Sequence, residues 1–287
     1  MTDVRAAGQG PAAPTSQSLY VSRGAAFAAA GVLAALNAQA DQIIADLSWQ
    51  SPIDALLNLG GVSALMWAAM FAAWSIGGEG HRALRGGLDM AVLGLVVLLS
   101  FVPLSYSAQV GLLLCGMYLL LTADGSNDAE RRAAIVLLAL TGPLIWGRLL
   151  LRLFEAPILA VDAHLVGAAI GTTVQGNIVH FPDGSGRFVV GDPCSSVHNM
   201  SLAIVLWTTS AMLFRIRMDR SYVMIGIAMC SLMFVLNIVR LSMLGLFPTH
   251  FDYWHTGGGA VLFAWAGLIG ATLLAGFGIT NAAARQH

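Results

Sequence analysis

The chain contains no lysine, so all 14 of its Lys and Arg positions are arginine. Charge of either sign is scarce, at 10% of 287 residues against 57% hydrophobic residues. That composition excludes an ordinary soluble domain. The net charge of -1 leaves no electrostatic footprint for nucleic acid, and no such partner is expected. Only three cysteines occur, Cys115, Cys194 and Cys230, and two of them sit inside apolar runs, so no disulfide framework is indicated. Internal repeats, a phosphate-binding glycine loop, HExxH and CxxC are all absent.

What fills the space is apolar. A helix needs about 20 mostly apolar residues to cross a bilayer. Runs of that kind fall near residues 22–40, 56–76, 86–103, 106–122, 132–152, 195–214, 221–244 and 256–279. The expected fold class is therefore an all-α polytopic membrane protein of about eight transmembrane helices, with one integral domain over 22–280 behind a disordered tail, 1–21. The first run is the weakest, being interrupted by Asn37 and Gln39, and reads as a retained anchor.

Arginine distribution gives the orientation. Arg5, Arg23, Arg82, Arg85, Arg131, Arg132, Arg215, Arg217, Arg220 and Arg285 all fall on one side of the eight-span layout. The positive-inside rule makes that side, with both termini, cytoplasmic. The outer side receives the Asp41/Asp46/Asp54 loop, a turn near Ser105, the segment 153–193 and the stretch 245–253. Within 153–193, residues 153–170 suit an interfacial helix. TTVQGNIVHF and RFVV around PDGSG predict a small hairpin over 173–190 on the outer face, ahead of the sixth span.

The chemistry concentrates where that segment re-enters the membrane. In GDPCSSVHNM, Asp192, Pro193 and Cys194 read as N-cap, first and second helical residues, a setting in which the helix dipole favours a thiolate. Arg240 lies in the outer half of the seventh span, where a guanidinium is costly and usually faces a polar cavity. Asn237, three residues earlier, shares its helix face and can orient it or bond to another helix. His255 stands at the start of the eighth span. A nucleophile, a base and a cation from three spans thus share one depth. Gly257, with Gly258 and Gly259, permits close backbone approach, and Tyr253 and Trp254 read as interfacial aromatics. Arg148 and Arg152, one helical turn apart at the outer end of the fifth span, break the charge rule. They read either as a site for a substrate carboxylate or lipid headgroup, or as partners of Glu155 and Asp162.

From about Ala156 to Gly259 the sequence resembles the exosortase/archaeosortase family of transmembrane cysteine transpeptidases. The likeness rests on APILAVDAHL, GTTVQGNIVHF, the PCSSV box, NIVR and WHTGGG. It implies a catalytic trio at Cys194, Arg240 and His255, in a bacterial inner membrane and facing outward. The implied substrates are exported proteins with a C-terminal, PEP-CTERM-like transmembrane sorting signal, cleaved and transferred to a surface or lipid acceptor, with membrane lipids as further partners and no metal or organic cofactor. The family's cysteine is commonly followed by Ser-Gly, whereas here Ser195 precedes Ser196. Two other classes remain open on the residues alone. One is an outer-face metal site drawing on Cys194, His198, His180, His250 and His255; the other is a non-enzymatic transporter or binding protein.

Overall fold

A computed structural model describes residues 21–49, 62–104, 106–124 and 128–286. Most of the predicted tail, with Arg5, the beginning of the second predicted run, Asp54 and Ser105 lie outside the described residues. Helices dominate: α1 (Arg23–Asn37), α2 (Ala40–Trp49), α3 (Ala64–Gly78), α4 (Gly86–Phe101), α5 (Ser107–Thr122), α6 (Asp128–Thr141), α7 (Gly147–Ile170), α8 (Ser196–Leu213), α9 (Arg220–Leu246), α10 (Phe251–His255) and α11 (Gly258–Gln286). The all-α class holds. Among the described residues, Asp128–Ile170, Arg220–Leu246 and Gly258–Ala284 are long and apolar enough to cross a membrane. Four further apolar helices, α1, α3, α4 and α5, are shorter. At 1.5 Å per residue, the 16 residues of α5 reach about 24 Å, less than the roughly 30 Å hydrocarbon core.

Local chemistry sets the ends. Ser22, Ser63, Ser195 and Asp219 cap α1, α3, α8 and α9 by accepting first-turn backbone N–H groups. The run from Asp128 to Ile170 passes through a π-turn at Gly142–Trp146 and then a kink at Phe154, where the backbone leaves helical geometry and two helices meet. The break falls within two residues of the expected boundary between a span ending at 152 and a second helix over 153–170. Pro157 lacks an N–H and crowds the preceding turn, and at Phe154 (φ -131°, ψ 30°) the chain leaves helical geometry and kinks. A correction concerns the predicted first run, which ends at Asn37 and gives way to α2 where a loop was expected.

The hairpin gains a strand. Val174–Gln175 (β1), Ile178–His180 (β2) and Arg187–Val189 (β3) form an antiparallel meander. The unforeseen β1–β2 link is the two-residue turn Gly176-Asn177, with Gly176 at φ 61°, a geometry matching the twist of paired strands.

Large apolar side chains point outward all round the bundle: Phe71, Leu98, Leu121, Leu273 and Phe277 are each more than half exposed. A water-facing surface would not carry so continuous an apolar belt. At one end, arginines tie the helices together. Fully buried Arg23 donates to Asp89 (2.9 Å) and Glu130 (2.6 Å), and Arg132 reaches Glu79 (2.6 Å) and Asp128 (2.6 Å). Arg82 and Arg85 meet Asp124, Arg215 meets Glu79, and Arg285 meets Asp219. Arg132 and Arg215 hold the Glu79 carboxyl below its usual range. Two apolar cores result. The larger fills the bundle; the smaller packs Leu159, Val166, Val179, Val190, Leu241 and Leu244 around Cys194, at the end away from the arginine clasp.

Candidate active site

Three segments converge on Cys194. It lies in the 3-10 turn Asp192–Cys194, ahead of α8, with its N–H donating to the Gly191 carbonyl (2.9 Å). The cap of α8 is Ser195, whose hydroxyl accepts from the Val197 N–H, while Asp192 is exposed. This corrects the expectation that Asp192 caps the helix and that the thiol sits within its first turn. Proline at 193 gives the chain an extra tight turn before the helix begins, so the cysteine precedes the dipole's positive end.

The turn is pinned from α7. Asp162, 1% exposed, accepts from the Ser196 backbone N–H (3.0 Å) and from the Ser196 hydroxyl. Ser196, at the position where the resemblance leads one to expect glycine, is therefore the other half of a buried clamp. Both serines after the cysteine are buried: Ser195 accepts from the Val197 N–H and the Ser196 hydroxyl donates to Asp162. From α9, Asn237 donates to the Cys194 carbonyl (2.8 Å) and accepts from Asn199 on α8 (3.2 Å). It positions the cysteine backbone by linking helices, the second of its two predicted roles.

The thiol itself meets histidine. Cys194 Sγ lies 3.6 Å from His255 Nε2, and the His255 ring packs at 5.2 Å against Phe251. His255 belongs to the short α10, one turn removed from α11. Burial pushes the Cys194 thiol above its ordinary value; the charge of Arg240 and the Gly191 backbone contact pull the other way. A thiol so placed stays protonated at neutral pH, and the imidazole within reach can take its proton as attack proceeds.

Arg240 lines a cavity of about 450 Å³ together with Arg148, His198, Asn199 and Asn237. Its Nε is buried with no hydrogen-bond partner among the described residues. Cys194 and His255 are not part of that lining; Arg240 is, and its charge also bears on the thiol.

Other predicted residues separate. Arg152 leaves the cavity to donate to the Tyr106 hydroxyl, with its guanidinium 5.2 Å over that ring. Neither Arg148 nor Arg152 pairs with Glu155 or Asp162 among the described ion pairs. Gly257 packs on its own chain, since a Cβ there would lie 3.0 Å from Tyr253 Cα; at Gly259 a Cβ would lie 2.4 Å from the Trp254 ring. These glycines let the α10 turn fold back, in place of the predicted approach by a second backbone. Among the described residues, no three His, Cys, Asp or Glu side chains gather as a metal site.

No protein-family model, curated protein or solved structure matches this chain.

Asp162 was the residue that sequence reasoning missed as part of the site. A lone acid in an apolar stretch was the available signal. Asp162→Ala should leave a buried N–H and hydroxyl unpaired, costing about 1–3 kcal/mol each. Asp162→Asn, with one acceptor left, should lose less. Thermal melting in detergent checks the order, and alkylation of Cys194 should quicken in both variants as the turn loosens.

Proposed function

We propose that this chain is a membrane-embedded cysteine peptidase or transpeptidase of the exosortase type. It cleaves C-terminal sorting signals of exported proteins at the outer face of a bacterial inner membrane. In this reading α1, α3, α4, α5, the α6–α7 run, α8, α9 and α11 cross the membrane, with both termini cytoplasmic and the arginine clasp inside. The observation that carries the reading is the Cys194–His255 contact at 3.6 Å, with the charge of Arg240 acting on the same thiol.

The chemistry follows from those three groups. A substrate helix diffuses laterally and presents its outer juxtamembrane peptide bond. His255 Nε2 takes the thiol proton as Sγ attacks the carbonyl carbon, and the guanidinium of Arg240 stabilises the oxyanion. Collapse breaks the C–N bond, and the imidazolium returns the proton to the leaving amine. The acyl group now rests on sulfur as a thioester. An acceptor amine or hydroxyl, or water, then gives its proton to His255, attacks the thioester carbonyl and releases the thiol. The protein's residues complete this cycle with no metal or organic cofactor. The metal-site alternative calls for at least three convergent ligands, and Cys194 has one histidine beside it.

Mass spectrometry of the new C-terminus of a co-expressed substrate tests the proposal. A residue mass above the cleaved length identifies transfer, and a bare carboxylate identifies hydrolysis. An uncut substrate whose sorting signal is intact in the same membrane would remove the reading.

A further inference from the structure

The 450 Å³ cavity has a chemistry of its own. Arg148 from α7 and Arg240 from α9 both line it, and none of its described lining residues is an aspartate or glutamate. Two guanidiniums facing a common space without a counter-ion invite an anion. The Nε of Arg240 is buried and unpartnered among the described residues, which is a costly state unless a ligand supplies the acceptor. Leu65, Met66, Leu236, Phe263 and Leu268 form an apolar wall, and Gln39, Gln42, Ser63, His198, Asn199 and Asn237 also line the cavity. Trp265 on α11 lines the cavity while 58% exposed, so the cavity opens sideways on the apolar belt.

We infer that this cavity binds one anionic phospholipid, its phosphodiester held by Arg148 and Arg240 and the start of its acyl chains lying along Phe263 and Leu268. A lipid fits better than an extended peptide. Peptide N–H and C=O groups would need partners along these walls, yet Gln39, Ser63, Asn199 and Asn237 already bond within the protein. A lipid entering through the lateral mouth keeps its chains in hydrocarbon and brings only its phosphate to the arginines. Arg240 is thereby shared between the cavity and the thiol. The inference rests on the membrane setting of the chain and stands apart from the thiol chemistry.

Native mass spectrometry of the delipidated full-length protein in detergent, titrated with phosphatidylglycerol, provides the test. One lipid should bind per chain. Arg148→Gln should weaken it by about tenfold or more, the loss expected for a hydrogen bond to a charged group, whereas Arg152→Gln, whose side chain engages Tyr106, should bind as the parent does. Ala264→Phe, which fills the cavity without changing charge, should also lose the lipid, and melting curves confirm that each variant is folded. Cys194→Ala should retain the lipid while losing thiol chemistry, so the two ideas fail separately. Unchanged binding in Arg148→Gln would overturn the inference. So would displacement of the lipid by millimolar inorganic phosphate, which marks a plain anion site, or by an acidic peptide at lower concentration than the lipid, which marks a peptide site.

Discussion

Cys194→Ala is expected to abolish cleavage of a co-expressed substrate altogether, with protein abundance and melting temperature close to the parent. Alanine fits the apolar cluster of Leu159, Val190, Leu241 and Leu244 around the site, and the Asp162 clamp and Asn237 contact act on backbone and on Ser196, not on the sulfur. What disappears is the atom that bonds the acyl group. Cys194→Ser should retain a trace at most, because a hydroxyl beside one imidazole is a far weaker nucleophile than a thiol. Arg240→Lys should also fail, since a compact ammonium does not reproduce the planar fork of donors. Burial raises the Cys194 thiol and Arg240 lowers it, so the thiolate fraction, and with it alkylation by iodoacetamide, should rise with pH through the alkaline range. Arg240→Gln should move that profile to still higher pH. Normal processing by Cys194→Ala in cells lacking any related enzyme would end the thiol mechanism.

The parts of the fold legible in the sequence are those whose boundaries carry strong local chemistry. The runs predicted at 86–103, 106–122, 195–214 and 221–244 correspond to α4, α5, α8 and α9 within a few residues, because arginine, proline or a capping side chain flanks each. The helix expected over 153–170 follows the kink at Phe154, and Leu159, Ala163 and Val166 pack it into the smaller core. Strand β1 is two residues long, too short for any periodicity to show. Alternating helix direction puts Cys194, Arg240 and His255 at one depth in the sequence, and in the structure His255 meets the Cys194 thiol while Asn237 meets its carbonyl. Which groups touch was not readable. Asp162 finds Ser196 at a separation of 34 residues, across a sheet and a 3-10 turn, and nothing local in either segment announces the pair. The cavity draws on residues from Gln39 to Leu268, so it exists only as a product of packing.

His255→Ala should lower the rate of thioester formation by roughly 10²- to 10⁴-fold, the usual contribution of a positioned general base. Two histidines compete for that role on sequence grounds, since His198 follows Cys194 by four residues and His255 by 61. Helical spacing would favour the nearer one if Cys194 were inside α8. It is not: the chain turns at Asp192–Cys194 before the helix starts, so the one-turn relation between 194 and 198 does not bring their side chains onto one stripe. His198 instead lines the cavity with Arg148, and it is His255, carried back toward the thiol by the short α10 and the Gly257–Gly259 fold, that stands 3.6 Å from Sγ. A neutral imidazole with its proton on Nδ1 presents Nε2 to the S–H, the arrangement needed to accept the proton as the C–S bond forms. His198→Ala should therefore form the thioester at the parental rate. The pair of variants is best compared by rapid quenching and intact-mass detection of the acyl adduct, which reads the first chemical step apart from acceptor attack. Loss in His198→Ala with retention in His255→Ala would assign the proton transfer to the cavity histidine and displace His255 from the site.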